Sequence, residues 1–365
     1  MRISELETPA LLIDLDIMER NLKRVADYAK SHDLRLRPHT KTHKIPALGR
    51  MQIEHGAAGL TVAKVSEAEV MIKSGTPDLL VAYPVIGRKK LERLMEVARK
   101  TKLTVSLDSL LAARQLSEAA RAARVEVAVL AEADVGMGRV GVNPGEELNE
   151  LGRQIARLPY LNLEGIAFYP GHIKSAGDDS AEDMAKLSAL VQQMTADWKR
   201  AGLPLNIVSG GSTPSLYQSH HVAGLNEIRP GTYIFNDKNT WAGCHACEAS
   251  EVAASIMVTV VSTARPRQMI VDGGSKTFSS DRLAGSSEMS FGYVAEAPEA
   301  VFFKMNEEHG YIDLKRTDWE FSVGDRVRIV PNHICVAMNL HEQVYGIRGD
   351  EVVETWQVEG RGKLQ

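Results

Sequence analysis

Short apolar runs alternate with longer amphipathic segments between about residues 34 and 240. The longer segments, at 89–100, 110–123 and 181–201, repeat apolar residues at a spacing of three and four, which predicts helices. The short runs predict strands at 34–37, 59–62, 79–83, 103–107, 126–132, 163–169, 206–209 and 226–229. Eight strands joined by helices over ~200 residues fit an α/β fold of the (β/α)8 barrel type better than an open doubly wound sheet, which more often has about six strands.

After about residue 250 the pattern changes to β-branched runs separated by turns, which predicts a C-terminal all-β domain. Its strands are expected at 253–262, 268–272, 326–330, 343–347 and 352–357. Another strong strand, at 9–15, precedes the first barrel helix and has no place among the eight. We expect it to join the C-terminal sheet. The predicted organisation is therefore an N-terminal strand at 1–16, a barrel at 17–248 and a β domain at 249–365.

Composition narrows the class of protein. The 365 residues are 44% hydrophobic and 25% charged, the balance of a globular protein with room for two cores. A net charge of −4 with scattered Lys and Arg argues against nucleic acid or a membrane as partner and favours a small polar substrate. No apolar run resembles a secretory signal or a membrane span, so we expect a cytoplasmic protein. Three cysteines make a disulfide framework implausible.

Lys41 lies just past the first predicted barrel strand, beyond Pro38. Carboxyl ends of barrel strands face the cavity in which barrel enzymes do their chemistry. Burial and neighbouring cations such as His39, His43 and Lys44 would favour a neutral amine, the form that makes a Schiff base. An exposed basic turn is the alternative interpretation of the same residues.

Three glycine-containing loops follow later barrel strands. The loop at 134–142 follows the fifth strand and carries Arg139, whose planar guanidinium can bind a phosphate or phenolate oxygen. The other two follow the seventh and eighth strands, where barrel enzymes commonly hold a phosphate through backbone N–H groups and hydroxyls. A phosphorylated cofactor is therefore predicted at these two loops, which contain Gly210, Gly211, Ser212, Thr213, Gly231 and Tyr233.

His333 and Cys335 follow a strand of the β domain that Pro331 ends. On an extended backbone residues two apart share a face, so an imidazole and a thiolate could converge on one metal ion. Cys244 and Cys247 have no second pair of ligands nearby in the sequence, and we do not expect a structural zinc there. His172, after the sixth strand, is placed to face the cavity.

Together these segments resemble the pyridoxal-phosphate (PLP) enzymes of the alanine-racemase fold, and within them the D-threonine aldolase and D-serine dehydratase branch. The resemblance covers nearly the whole chain. It implies that the Schiff base forms on Lys41 and not on Lys44. It implies a phosphate clamp at 209–213 and 231–233, and a metal motif at 331–335 with 339–341. The implied cofactor contacts also include His39, Arg139 and Tyr169.

The family resemblance implies a lyase, because racemases of this fold lack the metal pair His333 and Cys335. Its substrate would be a D-β-hydroxy-α-amino acid, and the metal would act as a Lewis acid on the β-hydroxyl. Loss of the α-proton followed by expulsion of the hydroxyl gives a keto acid and ammonia. Deprotonation of the hydroxyl instead breaks the Cα–Cβ bond and gives glycine and an aldehyde.

Two positions bear on this choice. The aldolases carry aspartate where this chain has Cys335, and a thiolate favours zinc over manganese or magnesium. They carry histidine directly after the tyrosine equivalent to Tyr169, where this chain has Pro170, and His172 follows in a Gly-His pair like that of the dehydratases. The tail at 352–362 resembles the bacterial aldolases instead.

We therefore expect a dehydratase of the D-serine or D-3-hydroxyaspartate type, with Lys41, His172 and His333 as catalytic residues. A D-threonine aldolase is the alternative. An amino-acid racemase and a non-catalytic PLP-binding protein fit less well, since the latter lacks the β domain. The resemblance also implies a homodimer.

Overall fold

The computed structural model of the protein describes residues 1–284 and 289–365. Contacts within the chain divide it into two units. The barrel unit comprises Arg24–Gly231 and Gly362–Gln365, and the sheet unit comprises Met1–Lys23 and Thr232–Arg361. The division thus differs from the expected bounds, since it falls after Gly231 instead of at residue 248 and assigns residues 362–365 to the barrel unit.

The chain begins with strand β1 (Ala10–Asp14) and helix α1 (Leu15–Ser31), and strands and helices then alternate. The barrel strands are β2 (Arg35–Leu36), β3 (Leu60–Val62), β4 (Asp78–Val81), β5 (Lys102–Leu107), β6 (Val127–Ala133), β7 (Leu161–Phe168), β8 (Ile207–Gly210) and β9 (Glu227–Ile228). The helices between them are α2 (Pro46–Glu54), α3 (Val65–Met71), α4 (Arg88–Ala98), α5 (Leu110–Ala123), α6 (Glu146–Ala156) and α7 (Ala181–Arg200). In the described part of the chain, no helix is both long and apolar enough to cross a bilayer.

These eight strands are parallel and follow the order β2-β9-β8-β7-β6-β5-β4-β3. The two strands at the ends of this order also meet, through a parallel bridge between His39 and Thr61. There the Thr61 N–H donates to the Pro38 carbonyl at 2.8 Å. The sheet thus curls round and closes, which confirms the predicted barrel. Each predicted barrel strand is present, with ends shifted by at most two residues.

Charged side chains lie inside the barrel near its first strand. Arg37 is fully buried and donates to both carboxylate oxygens of Asp78, at 3.0 and 3.2 Å, and to Glu227 at 3.0 Å. Burial raises the pKa of Asp78, while the charge of Arg37 acts against that rise. Removing one partner of such a buried pair typically costs ~3–5 kcal/mol. The network therefore fixes the backbone four residues before Lys41.

The sheet unit holds the remaining strands, which confirms the predicted C-terminal β domain. They are β10 (Ala254–Arg265), β11 (Gln268–Val271), β12 (Gly292–Val294), β13 (Val301–Met305), β14 (Gly310–Asp313), β15 (Arg326–Pro331), β16 (Gln343–Arg348) and β17 (Glu351–Gln357), with short helices α8 (Ser275–Phe278) and α9 (Ile334–Met338). Strand β1 pairs antiparallel with β10 and parallel with β16. Its residues Leu11, Leu12 and Ile13 are fully buried, so this apolar run lies in the core of the sheet unit. The strands β12, β13 and β14 were not predicted.

Candidate active site

Lys41 lies on a short 3-10 turn, Thr40–Thr42, that directly follows strand β2 and Pro38. The His39 ring accepts a hydrogen bond from the Lys41 N–H at 3.3 Å, and the Thr40 hydroxyl donates to the Thr61 carbonyl at 3.1 Å. Lys41 is half-buried, whereas Lys44 is buried and pairs with the Glu67 carboxylate. The two lysines of the motif therefore have different surroundings, and only Lys41 lies on the turn that ends the strand.

The loops after β8 and β9 meet the Lys41 turn at Gly231. The Gly231 N–H donates to the Thr213 hydroxyl at 3.3 Å. A Cβ at Gly231 would lie 2.8 Å from the Thr42 hydroxyl and 3.0 Å from the His39 carbonyl oxygen. Only glycine fits this close approach, and it brings both predicted phosphate loops to the lysine.

The loop after β8 is small, buried and rich in hydroxyls. Gly211 has φ +83°, a left-handed conformation that favours glycine, and a Cβ at Gly210 would overlap the Phe168 ring at 2.4 Å. The hydroxyls of Ser212 and Ser215 lie 3.0 Å apart. Backbone and hydroxyl donors with no bulky side chain among them are the chemistry that a phosphate group needs, so these residues fit the phosphate of PLP.

The glycine-rich loop after β6 is held by Asp134. Its carboxylate accepts backbone N–H groups of Gly136, Met137 and Gly138 at 2.9 to 3.1 Å. Burial acts to raise the pKa of Asp134, but these hydrogen bonds outweigh it and lower the pKa. An anchored loop gives Arg139 a defined position.

Arg139, Tyr169 and His172 lie close together at the ends of β6 and β7. The Arg139 guanidinium carbon lies 4.7 Å from the centre of the Tyr169 ring, a cation–π contact. A Cβ at Gly136 would be 3.2 Å from the His172 ring, which shows that His172 packs on the loop carrying Arg139. Arg139 and His172 are both exposed.

Positive charge gathers around His39. Burial, followed by the charges of Lys41, Arg229, Arg139 and His43, lowers the pKa of His39 well below its usual value. Its imidazole is therefore neutral at neutral pH. A cluster of cations beside a neutral ring suits an anionic, aromatic ligand such as PLP.

Arg229 directly follows strand β9. It was not among the predicted site residues, although the loop after this strand was predicted to hold the phosphate. It is buried and donates to the Ser209 hydroxyl and to the Phe168 carbonyl, the latter at 2.9 Å. Burial lowers its pKa from the ordinary value. Arg229 therefore joins the ends of β7, β8 and β9, which carry the predicted cofactor loops.

The sheet unit contains the predicted metal pair. The His333 Nδ1 lies 3.1 Å from a carboxylate oxygen of Asp237, which also accepts the Ile334 N–H at 3.0 Å. The Cys335 sulfur lies 3.6 Å from the Thr232 hydroxyl. Burial acts to lower the pKa of His333, but the charges and hydrogen bonds of Cys335 and Asp237 raise it to about 11. The surroundings of this imidazole thus strongly favour a positive charge.

The backbone at this pair differs from the expectation. His333 is extended, but Cys335 lies in helix α9, so the argument from two residues on one strand was wrong. An imidazole whose Nδ1 is held by a carboxylate leaves Nε2 for a metal, and nitrogen with sulfur suits zinc. The donor types therefore fit a metal. Within residues 1–284 and 289–365, however, no three His, Cys, Asp or Glu side chains form a ready metal-binding group.

Two other residues named from the sequence, Tyr233 and His341, lie in the sheet unit, as does Asp237. Tyr233 is buried in the short turn Thr232–Ile234. His341 donates through Nε2 to the Thr277 carbonyl at 3.2 Å, so that nitrogen is already used within the unit. Asp237, which sequence reasoning missed, pairs with a histidine 96 positions away, and no local signal could have identified it.

Comparison with known proteins identifies the family. Residues 13–239 match the family model for the alanine racemase N-terminal domain, and residues 253–347 match that for a putative serine dehydratase domain. The chain belongs to the alanine-racemase-like, fold-type III family of PLP-dependent enzymes. The predicted family and its cofactor are thus confirmed.

Relatives of both reaction types cover almost the whole chain. The 3-hydroxy-D-aspartate aldolase of Paracoccus denitrificans (strain Pd 1222) is 34% identical over 99% of this chain and 93% of its own length. The D-threo-3-hydroxyaspartate dehydratase of Delftia sp. (strain HT23) is 32% identical over 96% and 97%. The crystal structure of D-threonine aldolase from Filomicrobium marinum has a TM-score of 0.93 and 32% identity, and covers 100% of this chain and 98% of that one.

Two further structures bear on the metal pair. In D-threo-3-hydroxyaspartate dehydratase, 28% and 29% identical with TM-scores of 0.89 and 0.88, a histidine and a cysteine two positions further on have each been replaced by alanine. Both structures cover 98% of this chain, and the cysteine variant is in a metal-free form. His333 and Cys335 have the same spacing.

Proposed function

We propose that this protein is a PLP- and divalent-metal-dependent lyase that converts D-β-hydroxy-α-amino acids, such as D-serine and D-3-hydroxyaspartate, into a keto acid and ammonia. The observation that carries the proposal is Cys335 beside His333. The dehydratase in which a histidine and a cysteine at this spacing have each been replaced by alanine, with the cysteine variant in a metal-free form, supports it. A thiolate and an imidazole favour zinc as the ion, with manganese or magnesium as alternatives.

In the barrel unit, Lys41 would hold the cofactor, with the loops at 209–213 and Gly231 around its phosphate and Arg139, His39 and Tyr169 around its ring. Bound PLP supplies an electron sink for the bond broken at the substrate α-carbon. The Lys41 amine would be the base that takes the α-proton of the substrate. His172, packed on the Arg139 loop, is the second group for proton transfer.

In the sheet unit, His333 and Cys335 would hold the ion. A divalent ion supplies a Lewis acid for the departing hydroxyl. Asp237 accepts from His333 Nδ1 and so orients the ring and leaves Nε2 for the metal.

Retro-aldol cleavage to glycine and an aldehyde is the second candidate. The D-threonine aldolase structure and the 3-hydroxy-D-aspartate aldolase sequence, each more than 30% identical to this chain, favour it. In that reaction His172 or His333 would accept the proton of the substrate hydroxyl.

The test is ammonia and keto-acid release from D-serine by the purified holoenzyme, with L-serine as the stereochemical control. We expect product from the D-isomer alone, none from Lys41→Ala, and none after chelation although the protein keeps its cofactor absorbance. Exposed His221→Ala is the matched control for His333→Ala. Unchanged metal content and activity in His333→Ala would remove the metal from the proposal.

We further propose that the enzyme is a cytoplasmic homodimer. The chain has three cysteines, Cys244, Cys247 and Cys335, too few for a disulfide framework, as is usual for proteins of the reducing cytoplasm. Exposed β17 residues at the edge of the sheet unit offer a surface for a second copy.

A further inference from the structure

The side of the barrel that carries Lys41 is closed by a short stretch of backbone hydrogen bonds and by side chains. Strand β2 forms its ladder with β9, and β3 forms its ladder with β4. The contacts between the β2 and β3 segments include the bridge at His39, a hydrogen bond from the Ala58 N–H to the Leu36 carbonyl at 2.8 Å, and hydrogen bonds of two threonines. The Thr61 hydroxyl donates to the Arg37 carbonyl at 2.8 Å, and the Thr40 hydroxyl donates to the Thr61 carbonyl at 3.1 Å. We call this junction the seam.

A buried ion pair crosses the seam. The Lys44 Nζ lies 3.1 Å from one Glu67 carboxylate oxygen, and the two side chains are 8% and 5% exposed. The other Glu67 oxygen accepts the N–H of Ala63, the first residue after β3, at 2.8 Å. Lys44 has φ +57°, a left-handed conformation that a lysine adopts only at a cost. The pair therefore links the end of the Lys41 turn to the end of β3.

We propose that the Lys44–Glu67 ion pair is a positioning device for Lys41, which anchors the Lys41 turn across the seam and cancels the charge of the second lysine beside the cofactor linkage. The inference rests on the proposed function, in which Lys41 carries the cofactor. Glu67 lies in helix α3, outside every loop that the cofactor is expected to touch, and acts through Lys44.

Removing Glu67 makes the surroundings of Lys41 more positive, and removing Lys44 makes them more negative. Glu67→Gln removes the anion that faces the Lys44 cation, and Lys44→Met removes the cation that faces the Glu67 anion. An added cation lowers the pKa of the protonated nitrogen that joins Lys41 to the cofactor, and an added anion raises it. The other charged groups near the turn, His39 and His43 on the turn itself and Arg229 and Arg139 from the barrel ends, are the same in both variants.

The experiment is a pH titration of the cofactor absorbance in the holoenzyme. We expect the midpoint to move by at least ~0.5 pH unit, downward in Glu67→Gln and upward in Lys44→Met. The double variant Lys44→Met with Glu67→Met removes both charges and should return to within ~0.2 unit of the unmodified enzyme. Lys44→Arg keeps the pair and should also titrate as the unmodified enzyme does.

Shifts in the same direction, or no shift, would overturn the proposal, because a merely structural pair disturbs the turn regardless of sign. If Glu67→Gln does not fold, the comparison of Lys44→Met with the double variant tests the proposal. The upward shift of the titration midpoint in Lys44→Met must then disappear in the double variant. Borohydride reduction and peptide mapping of the unmodified enzyme test separately whether Lys41 carries the cofactor, on which the role of the ion pair depends. If the reduced cofactor is found on Lys41, the titration alone tests the role of the ion pair. If it is found on Lys44, both the proposed cofactor residue and this inference are refuted.

Discussion

His43, two residues after Lys41, shows how a single buried side chain makes the site sensitive to acid. It is fully buried, with Nδ1 accepting the Ile45 N–H at 3.1 Å and Nε2 donating to the Gln52 side chain at 3.3 Å. Burial lowers the pKa of His43 to about 4, although the hydrogen bond with Gln52 acts to raise it. The folded protein therefore keeps this imidazole neutral where an unfolded chain would protonate it.

We expect His43 to reduce the free energy of unfolding as the pH falls from about 6.5 to about 4, because in this interval the unfolded chain binds a proton that the folded chain does not. The total effect is at most ~3 kcal/mol, at ~1.4 kcal/mol per pH unit. In His43→Asn, which cannot titrate, this part of the acid sensitivity should disappear. Urea unfolding at pH 7, 5.5 and 4.5 measures it, and parallel pH curves for the two proteins would contradict the assignment.

At the scale of elements, the barrel strands were predictable and the contacts between distant side chains were not. Strands such as β6, whose seven residues are all buried, read as continuous apolar runs bounded by turns. Strands β12 and β14 have only three and four residues and begin with glycine, so they produce no run that a sequence pattern can detect. The five-residue helix α9 is likewise too short to show a period, and Cys335 was therefore assigned to extended backbone.

The site residues also divide into those that the sequence could indicate and those that only the folded structure reveals. Lys41, Gly231 and Arg139 could be named because each stands at the end of a predicted strand, where barrel chemistry lies. Glu67 and Asp237 could not, since each acts on a residue far along the chain through a contact that only the folded backbone creates. Arg229 lies in a loop that was predicted to bind the phosphate, but nothing in the sequence distinguished it from the other residues of that loop.

Asp237 should control metal affinity through the start of helix α9. Its carboxylate holds both His333 and the Ile334 N–H, so Asp237→Ala should free the ring and lower metal affinity by about 10- to 100-fold. The cofactor absorbance should be retained. Metal content after dialysis against graded chelator measures the change, with exposed Asp318→Ala as the matched control. Equal metal retention in both variants would show that Asp237 has no part in the site.

In the whole molecule, strand β17 is an edge strand whose side chains are mostly exposed to solvent. It forms its ladder with β16, meets the N-terminal segment at a bridge between Arg2 and Glu351, and lies at the end of the strand order. Val353 on it is 46% exposed, and Val352 and Trp356 are half-buried. An exposed edge with apolar side chains is a common surface for self-association.

We therefore expect a solution mass of about twice the 40.0 kDa of one chain. Val353→Lys places a charge on this edge and should shift the equilibrium toward the monomer. Light scattering over a dilution series measures both. A mass of one chain at working concentration would refute the dimer, and an unchanged dimer in Val353→Lys would place its interface elsewhere.

The products formed from D-threonine distinguish elimination from retro-aldol cleavage, because the two reactions share this substrate and differ in the bond that breaks. Holoenzyme with zinc is incubated with D-threonine, and the products are resolved by NMR. We expect 2-oxobutanoate and ammonia in equal amounts, with no product from Lys41→Ala. Glycine and acetaldehyde as the main products would contradict this expectation and identify the protein as an aldolase.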